Sequence, residues 1–218
     1  MATDSGGDTE LLRRLRAARV IPVLRLPQRD TAARALDLLI EAGFSTIELT
    51  LTTPDAIALM AELRQRAAPD FLVGAGTVLD LDSARACLDA GADYLVSPCL
   101  VQGLCDVARA SGAAALIGAF TPTEVLTAWR SGASAVKIFP ASSGGPSHLA
   151  GIRAVFPDIP LCPTGGVSLG NMADYFKAGA AFVGVGNNVI DQAALAAGHG
   201  PDVVRHARSF LDLAASLA

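Results

Sequence analysis

Lys137 stands in an apolar run, Ser134-Ala135-Val136-Lys137-Ile138-Phe139-Pro140. An ammonium group there costs several kcal/mol of desolvation unless it is paired or loses its proton. If Val136 and Ile138 face outward, alternation along a strand turns Lys137 inward. A desolvated lysine favours its neutral amine, the form that attacks a ketone or aldehyde to give a Schiff base. A second titratable group, Glu48, lies in a similar run, Ile47-Glu48-Leu49-Thr50-Leu51-Thr52. Burial favours its protonated form and suits it to shuttling protons. A plain core ion pair between Glu48 and Lys137 or Arg25 is the alternative, and both readings can hold together. Arg25, closing the run Ile21-Pro22-Val23-Leu24-Arg25, is a candidate for an anionic ligand group or for a rim salt bridge.

Three glycine-bearing segments complete the set. Gly74-Ala75-Gly76-Thr77 allows close backbone approach and offers the Thr77 hydroxyl. Pro163-Thr164-Gly165-Gly166 and Gly184-Val185-Gly186-Asn187 each lead toward a helix start. There, backbone N–H groups unobstructed by side chains suit phosphate oxygens.

The elements that carry these residues repeat. A tag recurs around Gly43, Gly91, Gly112, Gly132 and Gly179: the end of an amphipathic helix, a glycine, then a short apolar strand. Eight such strands can be counted: VIPVL, STIELTL, FLVGAG, DYLVS, AALIGA, SAVKIF, IPLCP and AFVGVG. They do not alternate cleanly between polar and apolar, as expected of strands buried on both faces of a parallel sheet. Helices are predicted between them, among them 29–42, 53–67, 121–131 and 201–216, with cap-like residues at Asp30, Thr53, Asp80, Thr121 and Ser168. Eight β-α units of similar length, with no early dinucleotide glycine motif, predict a single (β/α)8 TIM barrel over residues 1–218, with 1–10 as a tail. In that fold chemistry sits at the C-terminal strand ends, and the loops after strands 7 and 8 bind phosphate.

Composition excludes other classes. Hydrophobic residues make up 51% and charged residues 17%, too apolar for a disordered chain. A net charge of -4 argues against nucleic acid as partner. The basic cluster Arg13, Arg14, Arg16 and Arg19 reads as a solvated helix face. No apolar run approaches the ~20 residues of a membrane span, and the polar start is unlike a signal peptide, so a cytoplasmic protein is expected. Cys87, Cys99, Cys105 and Cys162 form no CxxC pair, and free thiols and no metal are expected. His148, His199 and His206 have no partner spacing and read as surface residues. Of 17 basic residues only Lys137 and Lys177 are lysines, and Lys177 stands near a helix end where any cation is favourable.

In sequence order, IELTL around Glu48, VGAGTVL at 73–79, LVSP at 95–98, GAFTPTE at 118–124, VKIFPA at 136–141 and PTGGV at 163–167 together resemble one family. This is the family of class I aldolases that cleave 2-keto-3-deoxy-6-phosphogluconate (KDPG), which includes 2-keto-4-hydroxyglutarate (KHG) aldolase. The resemblance implies that Lys137 forms the Schiff base and Glu48 is the general acid and base. It implies that Thr77, Pro98 and Phe139 hold the pyruvyl end, while Thr164, Gly165, Gly166 and the strand 8 loop at Gly186 and Asn187 hold phosphate. It further implies a homotrimer, no metal, no cofactor beyond the lysine adduct, and a small phosphorylated 2-keto acid as substrate.

The chain departs from the family pattern at four places. Thr52 stands where many members carry a substrate-holding arginine, which leaves Arg25 to contribute. Asn187 replaces a common serine, Cys99 a common glycine, and Ile117 a common proline. The leading expectation is KDPG cleavage to pyruvate and glyceraldehyde 3-phosphate. The phosphogalactonate epimer or 4-hydroxy-2-oxoglutarate is the alternative main substrate. A sugar-phosphate isomerase or epimerase barrel, with Glu48 as base, and a non-catalytic binder of a phosphorylated metabolite are the other classes.

Overall fold

A computed structural model describes residues 9–217. Most of the expected tail therefore lies outside the described residues, but Thr9 and Glu10 do not belong to it: Thr9 caps the first helix and Glu10 begins it. In chain order the elements are α1 (Glu10–Ala18), β1 (Val20–Leu24), α2 (Arg29–Glu41), β2 (Thr46–Thr50), α3 (Ala56–Arg66), β3 (Leu72–Gly76), α4 (Leu81–Asp89), β4 (Tyr94–Val96), α5 (Leu104–Ala110), β5 (Ala114–Ala119), α6 (Pro122–Arg130), β6 (Ala135–Ile138), α7 (Ala141–Val155), β7 (Leu161–Pro163), α8 (Met172–Lys177), β8 (Val183–Val185), α9 (Gln192–Ala197) and α10 (Gly200–Ser216).

All eight strands run parallel in the order β7-β6-β5-β4-β3-β2-β1-β8. A bridge between Thr164 and Gly184 brings the two end strands together. The result is a (β/α)8 TIM barrel. The five tag glycines all have positive φ, from 73° at Gly112 to 101° at Gly43, so the repeat is the helix-ending turn that feeds each following strand.

Two apolar layers share the strands. Outward residues such as Ile47, Leu49, Val73, Ala75, Leu95, Val136 and Ile138 pack under the helices. Inward residues Ile21, Leu72, Tyr94, Val96, Leu116, Ala135 and Phe182 fill the barrel together with Leu12 and Leu15 of α1. Alpha1 thus plugs the N-terminal end, and each of its two buried leucines contributes about 2 kcal/mol of apolar burial. The arginines around it do not form one solvated face. Arg14 reaches the Asp70 carbonyl. Arg19 lies beyond the helix end with φ 58° and stacks on Phe176, 4.4 Å from the ring centre.

The predicted caps divide. Asp80 accepts from Ser83 N at 2.7 Å, and Thr121 forms a reciprocal capping box with Glu124. Asp30 sits inside the first turn of α2, where a carboxylate suits the helix dipole without capping. Thr53 is buried and accepts from Leu26 N at 3.3 Å, so it ties β1 to the β2 loop while α3 starts later, at Ala56. Ser168 is not a cap either: its N–H donates to Asn171 Oδ1 at 2.8 Å. No helix among the described residues is long and apolar enough to cross a membrane.

Candidate active site

Parity brings the polar residues to one place. Thr46, Glu48 and Thr50 share the inner face of β2; Ala135 and Lys137 that of β6; Cys162 lies on that of β7, with Thr164 just past its end. Lys137 Nζ lies 3.4 Å from Glu48 Oε1, with side-chain exposures of 6% and 4%. The two readings of these residues, a core ion pair and a reactive couple, therefore describe one contact. The pair is neutral overall whichever partner holds the proton, which makes its burial tolerable. A proton can pass between the two without either side chain leaving the barrel.

Glycines make room for this pair. A Cβ at Gly76 would stand 2.1 Å from Glu48 Oε1, and one at Gly74 would stand 2.1 Å from Tyr94 Cζ. The glycine pair of β3 thus admits protein side chains, not a ligand, to the backbone. Gly118, the register partner of Lys137, lets the chain at Pro98 and Cys99 pass close: its Cβ would meet the Pro98 carbonyl carbon at 2.1 Å. That places Pro98 over β5, the strand next to the one that carries Lys137. Phe139 closes the other side, with its ring centre 5.5 Å from Lys137 Nζ.

At the rim, Arg25 donates to Thr77 Oγ1 at 3.3 Å. Thr77 holds φ 61°, an uncommon conformation for a β-branched residue and of a kind that clusters at ligand sites. The Thr52 hydroxyl lies 2.9 Å from that of Thr50. Among the described residues Arg25 makes no salt bridge, and its guanidinium is held by the Thr77 hydroxyl.

The two glycine loops come side by side through the Thr164–Gly184 bridge. Gly165 and Gly166 have φ 91° and 87°, and a Cβ at Gly166 would strike Ser142 Cβ at 2.6 Å. Gly186 has open space where a Cβ would point, and Asn187 begins a short 3-10 turn, exposed. Asn188 braces this loop by donating to Val167 O at 3.0 Å.

Ile117 faces the helices and is fully buried, so the proline-to-isoleucine departure lies off the mouth. Cys99 is exposed at the rim. His148 is not a free surface residue: its ring stacks on Phe120 at 4.5 Å and its Nε2 is 2.8 Å from Phe120 O. His206 likewise holds Asn188 O at 2.9 Å. Sequence reasoning missed Thr46, Tyr94 and Cys162 inside the barrel. Counting in twos from Lys137's parity on each strand was the signal available. Burial pushes the Cys162 thiol up to about 12 and the Tyr94 phenol well above its ordinary range. Among the described residues no group of three or more His, Cys, Asp or Glu is placed to hold a metal ion.

The family model described as KDPG and KHG aldolase matches residues 11–205. A 2-dehydro-3-deoxy-phosphogluconate aldolase of Pseudomonas aeruginosa is 38% identical over 161 residues, 73% of each chain. A 2-dehydro-3-deoxy-6-phosphogalactonate aldolase of Escherichia coli is 33% identical over 171 residues, 78% of this chain and 83% of that one. A Legionella pneumophila KDPG aldolase, solved with pyruvate captured as a covalent carbinolamine intermediate, superposes with TM-score 0.83 at 28% identity, covering 93% of this chain and 98% of that one. This chain belongs to the KDPG and KHG aldolase family. It is an aldolase, a carbon–carbon lyase.

Proposed function

We propose that this chain is a Schiff-base aldolase that cleaves KDPG to pyruvate and glyceraldehyde 3-phosphate. The observation that carries the reading is the buried contact of Lys137 Nζ and Glu48 Oε1 at 3.4 Å, at the end of a barrel strand. Glu48 takes the ammonium proton, and the free amine of Lys137 attacks the C2 ketone. Glu48 hands that proton to the departing hydroxyl, and loss of water gives an iminium, which is the electron sink. Glu48 then takes the C4 hydroxyl proton, the C3–C4 bond breaks into the iminium, and the aldehyde leaves. The enamine takes a proton from Glu48 at C3, and hydrolysis frees pyruvate and the lysine.

Arg25, Thr52 and Thr77 receive the carboxylate in this reading, with Pro98 and Phe139 flanking the pyruvyl group. Thr164, Gly165, Gly166, Gly186 and Asn187 receive the phosphate. The active form is a homotrimer, as the family resemblance implies, and sedimentation velocity tests it.

Borohydride added with pyruvate is expected to attach mass to the peptide containing Lys137. An unmodified protein under turnover conditions overturns the reading. Because relatives are named for both epimers, a coupled pyruvate-release assay on the phosphogluconate, the phosphogalactonate and 4-hydroxy-2-oxoglutarate ranks the substrates. A higher kcat/KM on either of the last two overturns the preference.

A further inference from the structure

One step deeper in the barrel than Glu48 lies a second polar contact, between Thr46 Oγ1 and Tyr94 Oη at 2.8 Å. Both residues are fully buried. Around and below them the interior is apolar: Leu72, Leu116, Ala135 and Phe182. A hydrogen-bonded pair at such a depth gives little net stability over two apolar side chains of the same shape. Packing alone does not explain it.

Its placement relates it to Glu48 on two strands at once. Thr46 precedes Glu48 by two residues on the inner face of β2. On β3, the Tyr94 phenol lies against Gly74 and the Glu48 carboxylate against Gly76, again two residues on. Two strand residues span about 7 Å, one layer of the barrel. The pair holds two hydroxyl hydrogens and shares one hydrogen bond, so one O–H dipole is left to align in the local field. Around Glu48 on the inner face, Val23 of β1 and Val96 of β4 are apolar, and Gly76 of β3 and Gly118 of β5 carry no side chain. The Thr164 hydroxyl fills the space beside Gly184 of β8 and is engaged with Cys162 of β7 at 3.7 Å, a thiol whose ionisation burial pushes up to about 12. The charged neighbour is Lys137 of β6, and the Tyr94–Thr46 pair lies one layer beneath. Tyr94 is neutral, since burial first, and Glu48 among further causes, hold its phenol well above the ordinary range.

We propose that the Thr46–Tyr94 pair is a positioning device for Glu48, fixing the polarity beneath its carboxylate and so the pH at which it exchanges protons with substrate. The proposal rests on the acid–base role given to Glu48 above. A hydroxyl dipole in a low-dielectric interior favours the carboxylate; hydrocarbon in its place favours the acid. Removing the pair therefore raises the pH at which Glu48 becomes a base.

The test is the pH dependence of solvent deuterium exchange into the C3 methyl of pyruvate, which reports proton transfer at the enamine. It is run on the full chain and on Tyr94→Phe, Thr46→Val, Thr46→Ser and the double variant Thr46→Val/Tyr94→Phe, with borohydride trapping at Lys137 alongside. Each apolar single variant strands a buried hydroxyl and melts early; the double variant recovers. The expected result is that the double variant keeps an acid limb moved up by about half a pH unit or more, with trapping intact, while Thr46→Ser holds the original profile. A double variant with the original profile and intact trapping overturns this proposal alone. Absence of trapping in the unaltered chain overturns the aldolase reading, and this one with it.

Discussion

Gly76 and Glu48 share one volume: the side chain that β3 lacks is the space in which the β2 carboxylate lies, with Oε1 only 2.1 Å from where a Cβ would be. Gly76→Ala therefore displaces Glu48 from its contact with Lys137. A misplacement of about 1 Å costs roughly 100-fold in rate. The expected outcome is that loss in kcat for cleavage, with borohydride trapping of pyruvate at Lys137 retained. Steady-state kinetics and intact-mass analysis of the one variant read both.

Glu48→Gln keeps the shape but removes the proposed proton carrier. The imine is expected to form more slowly, with trapping at Lys137 still reached at long times, while C3 exchange in pyruvate falls by about 100-fold or more. Exchange followed by proton NMR checks it; undiminished exchange removes Glu48 from its role.

Lys137→Ala is expected to abolish trapping and to leave Glu48 without its partner at 4% exposure. Breaking a buried pair on one side costs about 3–5 kcal/mol. Replacing both, as Lys137→Met with Glu48→Leu, restores most of it. Urea unfolding of the two variants separates the cost of an orphaned charge from that of lost packing.

At the rim, Arg25→Met is expected to raise KM for pyruvate in C3 exchange about tenfold, one charge-assisted hydrogen bond's worth, with kcat little changed. Thr52→Arg, which adds a guanidinium on the neighbouring loop, is expected to lower it. Saturation curves for both decide the matter, and an unchanged KM in Arg25→Met assigns the carboxylate elsewhere.

The thiols set an alkaline limit. Burial raises Cys87 from 9.0 to about 11 and Cys162 from 9.0 to about 12. A thiol ionises more readily in the unfolded chain than in the folded one. The stability this represents is intact below pH 9 and is lost as pH rises from 9 through 11 to 12. Melting temperature is expected to fall across that window, less steeply in Cys162→Ala. At pH 8 the native chain is expected to present only Cys99 to a thiol reagent at speed, since it is exposed while the other three are buried.

The barrel was legible because its signal is redundant. Five glycine tags and eight apolar runs each point to the same βα unit, and Lys137, in an apolar run, betrays its direction by its neighbours. Caps were less legible, because an acid near a helix start serves either the dipole or the cap. Asp30 does the first and Asp80 the second. The glycines of β3 were read as room for a ligand, yet a sequence does not say which side chain will come across a barrel to fill a gap. Tyr94, from the neighbouring strand, and Glu48 fill them. His148 lacked a partner in sequence because its partner is a backbone carbonyl, Phe120 O, which carries no residue signature.

The leucines of α1 leave the barrel with one door. Whatever enters at the strand ends must leave the same way, past what entered after it. Under the proposed reaction, a substrate that goes in keto end first lays its phosphate nearest the exit, so the aldehyde fragment departs while the pyruvyl fragment is still tethered beneath. Run backward, pyruvate has to be seated before the aldehyde arrives. On that reading the closed floor and the tether on Lys137 enforce the same order, aldehyde first and pyruvate last.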